Sequence, residues 1–164
     1  MARYHQQIQG TSAPAANALI GGLACIAGAG FNFRRISGGL VTIGSTAAPP
    51  DQNAQLGLAI ISVAGTGAIT APSLTTANSQ MNANSPVPVC LPFVSYATTP
   101  PTFTASGADP FVIPVSSRGG FDLSWEAPTE WEFLKGAANG IAFVNRGNAL
   151  TSPLGWQIDW EWDE

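Results

Sequence analysis

From residue 156 to residue 163 the chain reads Trp-Gln-Ile-Asp-Trp-Glu-Trp-Asp, and every apolar side chain is followed by a polar one. A period of two belongs to an extended strand, whose successive side chains point to opposite faces. One dry and one wet face is the mark of an antiparallel sheet. The same alternation sets Phe121, Leu123 and Trp125 against Asp122, Ser124 and Glu126. Residues 56–63 and 141–144 are continuous apolar runs, expected as buried strands, and residues 40–43 form a short strand between glycines. No segment of ten or more residues carries helical periodicity.

Composition sharpens this reading. Eighteen glycines and thirteen prolines in 164 residues exceed the usual ~12% for the pair and cut the chain into short pieces. About eight short strands separated by frequent turns imply an all-β fold, an antiparallel β-sandwich of jelly-roll-like form. Pro86, Pro88, Pro92 and Pro114 lack the ladder N–H, so the strands around them belong at sheet edges or beside bulges. Residues 71–86 are small and polar and are expected as a long surface loop. Residues 1–35 are expected as an extended N-terminal arm with a Gly/Ala-rich hinge, and residues 36–164 as a single sandwich domain.

Charge excludes one class of partner. Only 10% of residues are charged, against about 25% in an ordinary domain. Residues 1–108 hold Arg3, Arg34 and Arg35 against Asp51, a net of +2; residues 109–164 hold three basic residues against nine acids, a net of −6. A nucleic-acid binder needs a basic stripe that displaces phosphate counterions, and this chain has none. Arg34-Arg35, the only basic doublet, reads as a loop or interface pair. The apolar run at residues 18–30 is too short and Gly-rich to span a membrane as a helix. A polar stretch with Pro14 separates it from any basic start, unlike a secretory signal.

The chain holds no recognisable catalytic, cofactor-binding or metal-binding set and reads as no enzyme. His5 is the single histidine, on a segment poorly suited to holding a base rigidly. Cys25 and Cys90 could form one bridge, but their apolar surroundings favour buried free thiols. Gly65-Thr66-Gly67 lacks the order of a phosphate loop. Glu126, Glu130 and Glu132 lie near Trp125 and Trp131 as a glycosidase pair would, yet each also fits the wet face of a strand. Asp159, Glu161 and Asp163 share one strand face without the spacing of a calcium loop, which points to solvated carboxylates. Their alternation makes the tryptophans core or interface residues before it makes them a sugar platform.

The C-terminal third, Asn139-Gly140-Ile141-Ala142-Phe143-Val144-Asn145-Arg146-Gly147-Asn148-Ala149-Leu150 and then Trp156 through Glu164, resembles the closing hairpin of head-decoration (cement) proteins of tailed phages. The resemblance spans residues 110–164. It implies a virion structural protein, often trimeric, that binds the major capsid protein on the capsid exterior at subunit junctions and needs no cofactor. On that reading the interface residues are Arg3, Arg34 and Arg35 of the arm with Trp156, Trp160 and Trp162 of the last strand. Deleting residues 1–35 would then abolish association and leave the sandwich folded. Three other readings stay open: a small jelly-roll shell protein, a tail module binding glycans through Trp131, Trp156 or Trp160, and, least favoured, a hydrolase acting through Glu126 or Glu130.

Overall fold

The structure, a computed structural model, describes residues 2–10, 15–25, 30–41, 53–63, 65–66, 69–70, 84–93, 95–96, 98–116, 119–125, 131–133, 140–149 and 155–164. Among them are no helices, and the strands are β1 (Arg3–Gly10), β2 (Leu19–Cys25), β3 (Phe31–Val41), β4 (Asn53–Val63), β5 (Ile69–Thr70), β6 (Cys90–Phe93), β7 (Ser95–Tyr96), β8 (Thr102–Phe103), β9 (Phe111–Ser116), β10 (Gly120–Ser124), β11 (Trp131–Phe133), β12 (Gly140–Asn145) and β13 (Gly155–Asp163). They build a β-sandwich. The first sheet runs β1-β13-β3-β10, with β11 also on β3; the second runs β6-β2-β12-β4-β8, with β9 also on β4. Strand pairing within both is antiparallel.

Alternation decides what lies between the sheets. In β13, Ile158, Trp160 and Trp162 are buried, whereas Gln157, Asp159 and Glu161 are half-buried. They meet Tyr4 and Ile8 of β1, Phe33 and Ile36 of β3, and Leu56, Leu58, Ile141 and Phe143 of the second sheet in one apolar cluster. Its aromatic members interlock: Tyr4 stacks on Trp162 at 5.6 Å, and Phe33 meets Trp160 at 5.7 Å between ring centroids. Such pairs add about 0.5–1.5 kcal/mol each beyond the area they bury.

The middle of the second sheet is dry on both faces. Ile141 and Phe143 of β12 point into the sandwich, and Ala142 and Val144 point outward into a separate cluster with Ala24, Ala59, Ile61 and Phe93. This accounts for the unbroken apolar runs of β4 and β12, since a strand covered twice has no wet side to mark with polar residues. The cover fits closely: a Cβ on Gly22 would lie 2.6 Å from the Phe93 ring. The prolines stand where a missing N–H does no harm, Pro92 in the edge strand β6 and Pro114 in the edge strand β9.

The structure departs from three expectations. Residues 1–35 are not an arm: β1, β2 and the first half of β3 lie inside the sheets, paired with β13, β12 and β6. The strand expected at residues 40–43 begins at Phe31, so Arg34 and Arg35 lie within β3 and not in a loop. Cys90 is buried and disulfide-bonded, not a free thiol. The register of β2 on β6 sets it opposite Cys25, the other cysteine of the chain. Closing a loop of about 65 residues stabilises by about 4 kcal/mol in the chain-entropy account. All of the expected 71–86 loop before residue 84 lies outside the described residues.

Candidate functional site

Arg3, Arg34 and Arg35 come together on the outer face of the first sheet. A β-bulge is the cause. Glu161 pairs with Arg35 and Trp162 with Phe33, so Arg34 has no opposite residue on β13. The extra residue turns two successive arginines toward one face, as bulges beside functional surfaces do. With Arg3 from β1, and with Ser124, Trp125 and Glu161, they line an open pocket of about 230 Å³.

Carboxylates of the same sheet answer these arginines. Asp163 accepts from Arg3 Nε at 2.9 Å and from Arg34 Nε at 2.6 Å. Arg35 forms a two-pronged pair with Asp122 at 2.8 and 2.6 Å. Arg3 also lies 3.5 Å from Glu161, and His5 lies 3.4 Å from Asp159, which accepts from Gln7 Nε2 at 3.0 Å. The acidic row of β13 is therefore a charge-compensated ladder between β1 and β3, not a line of carboxylates left to water. Among the described residues no three His, Cys, Asp or Glu side chains are grouped to hold a metal ion.

The ladder carries a pH dependence. Burial alone would push the Asp163 carboxyl up, but the hydrogen bonds and charges of Arg3 and Arg34 hold it below the usual value. Asp122 is held low by its hydrogen bond from Arg35. A folded-state value below the unfolded one gives stability that is complete above about pH 4 and disappears as pH falls through the folded-state value. Urea midpoints are expected to drop below about pH 4, and Asp163→Asn to flatten that drop. An unchanged profile in Asp163→Asn would assign the acid sensitivity to other carboxylates.

The tryptophans divide differently. Trp160 and Trp162 are 0% exposed, so neither offers a surface to a partner, and their place among the interface residues is corrected to the core. The side chains of Trp131, Glu132 and Trp156, and residues Glu126 and Glu130 entirely, lie outside the described residues. The C-terminal Glu164 has a bracing role: its carboxylate accepts from the backbone N–H of Val89 at 2.9 Å and of Cys90 at 2.8 Å, and from Trp162 Nε1 at 3.0 Å. With Tyr4 donating its hydroxyl to Pro86 O at 2.9 Å, it ties the β1/β13 side of one sheet to the β6 edge of the other.

Sequence reasoning missed a second polar centre, at the far end of the second sheet. Asp109 accepts from Arg146 Nε at 2.6 Å and Nη2 at 2.7 Å, and the side chains are 0% and 6% exposed. Nη2 also donates to Thr104 O at 2.6 Å, and Nη1 to Asn17 Oδ1 at 3.3 Å. The guanidinium lies over the Phe103 ring, 5.5 Å from its centroid. Gly57 makes room for the pair: a Cβ there would lie 2.5 Å from Asp109 Oδ2 and 2.8 Å from Arg146 Cγ. One arginine in a turn and one aspartate in a loop carry no local signal that they meet. Comparison with protein-family models, curated proteins and solved structures finds no match to this chain.

Proposed function

We propose that the chain is a virion structural protein that decorates the exterior of a phage capsid at subunit junctions, bound to the major capsid protein and to copies of itself. The observation that carries this reading is the strand order. The first strand lies beside the last, and β1-β13-β3-β10 faces β2-β12-β4-β9, each sheet drawing on both ends of the chain. Two nested Greek keys would give this order, and we read the sandwich as a jelly roll, a form that recurs in viral shell and lectin domains.

Charge placement supports an exterior position. Each described arginine is ion-paired within the chain, so the described surface offers no basic stripe to packaged nucleic acid. The disulfide suits a particle that persists in oxidising surroundings. Exposed apolar side chains stand at the rims of the second sheet, with Phe111, Val112 and Val63 on one side and Val87 and Val89 on the other. At these rims a lattice neighbour would bury area without desolvating charge.

Co-sedimentation tests the proposal. The purified chain, added to shells of its phage that lack it, is expected to bind at a fixed ratio and to raise the temperature at which the shells disrupt. Phe111→Asp with Val112→Asp is expected to weaken that binding. A chain that stays in the supernatant at saturating concentration overturns the reading.

A further inference from the structure

We infer that the polar pocket above the Arg146–Asp109 pair is a binding site for a neutral, hydroxyl-rich ligand, a glycan without acidic sugars. The pocket has a volume of about 420 Å³, and Asn17, Asn53, Gln55, Ser106 and Asn148 line it around Arg146. These residues come from the approach to β2, the start of β4, the loop after β8 and the turn after β12. The tryptophans have no part in it.

The chemistry of the lining selects the ligand. An amide side chain both donates and accepts, as a sugar hydroxyl does, and four amides with a hydroxyl can engage neighbouring hydroxyls in pairs. Asn53, Gln55, Ser106 and Asn148 are exposed at the pocket surface. Acidic ligands gain little. Four hydrogen bonds to Asp109, Thr104 and Asn17 occupy the guanidinium, and Asp109 already neutralises its charge.

Below the surface the site is rigidly built. Asn145 is 0% exposed; its Nδ2 donates to Ala15 O at 3.1 Å and Asn148 O at 2.9 Å, and its Oδ1 accepts from Gly147 N at 3.1 Å. Arg146 N donates to Gln55 O at 2.6 Å. Asn17 is held at φ 60°, a conformation asparagine tolerates better than most residues. A buried ion pair is a costly way to gain stability, but it fixes the geometry of what surrounds it, as a preformed binding site requires.

The test uses the full chain on an immobilised panel of oligosaccharides ending in galactose, glucose, mannose or N-acetylglucosamine, with sialylated counterparts beside them. Binding to one or more neutral members is expected. Gln55→Ala and Asn148→Ala should each weaken it about tenfold, with unchanged circular dichroism, and Arg35→Ala on the opposite sheet should leave it intact. Binding to no member, binding confined to sialylated members, or binding indifferent to both pocket substitutions overturns the proposal. The inference does not rest on the virion reading. Only the gain in avidity from many copies on one particle does so, and failure to bind shells would leave single-site glycan binding standing.

Discussion

Removal of residues 1–35 is expected to leave no cooperatively folded protein. The segment contributes β1, β2 and the first five residues of β3, and with them the buried side chains of Tyr4, Ile8, Ile20, Leu23, Phe31 and Phe33. At roughly 1.5–3 kcal/mol for each buried large side chain, the loss is on the order of 10 kcal/mol, comparable to the whole stability of an ordinary domain. The damage is also topological. Without β1, one edge of β13 loses the ladder that runs from Arg3–Asp163 to Gly10–Trp156, and Trp162 loses the Tyr4 ring stacked on it. Without β2, β6 has no partner in the second sheet and Cys90 no cysteine to bond. A thermal scan of the truncated chain by circular dichroism should show no sigmoidal transition, and its amide proton spectrum should lack dispersion. A melt within a few degrees of the full chain would mean that these strands are dispensable, as an arm would be.

The contrast with an arm shows where sequence is informative and where it is not. β13 is legible because one of its faces is dry and the other carries the charge ladder, so burial is written as a period of two. β4 and β12 are legible as continuous apolar runs because Phe93 and its neighbours cover them on the outside as well. The prolines mark edges through a missing donor that only an edge can spare. β3 is illegible for a definite reason. Its bulge places the inward residues Phe33 and Ile36 three apart, which breaks the period of two and makes Phe-Arg-Arg-Ile look like a loop. β1 hides in a similar way, since its inward row reads Tyr4, Gln6, Ile8, with a buried glutamine in the middle. β2 carries Gly21-Gly22, which resembles a hinge, whereas a Cβ at Gly21 would lie 2.7 Å from Ile8 Cδ1. The arginines are legible as a set, but their partners, acids of their own sheet, are not. The Arg146–Asp109 pair and the amide pocket above it depend on four separate segments converging at one end of a sheet, and no local pattern encodes that.

Asp109→Ala is expected to cost about 3–5 kcal/mol, because it strands a guanidinium that is almost wholly enclosed. In a chain of this length that corresponds to a fall in Tm of roughly 10 °C or more. The cost is the penalty of the unpaired charge, not the net worth of the pair, and the two can be separated. In Asp109→Leu with Arg146→Met both charges leave together, and most of the loss should be recovered, as when buried ion pairs elsewhere are exchanged for apolar groups of similar volume. The double-mutant cycle should therefore show coupling well above the ~0.5 kcal/mol within which independent sites add. Urea denaturation of the four proteins measures all of this, and a loss below about 1 kcal/mol in Asp109→Ala would show that Arg146 escapes to water. The apolar double variant also separates stability from recognition. It keeps a packed core but removes the donors to Thr104 and Asn17 that hold the pocket wall, so it should fold nearly as well as the parent and bind neutral glycans much less. A stable double variant with unaltered glycan binding would assign the pair to packing alone.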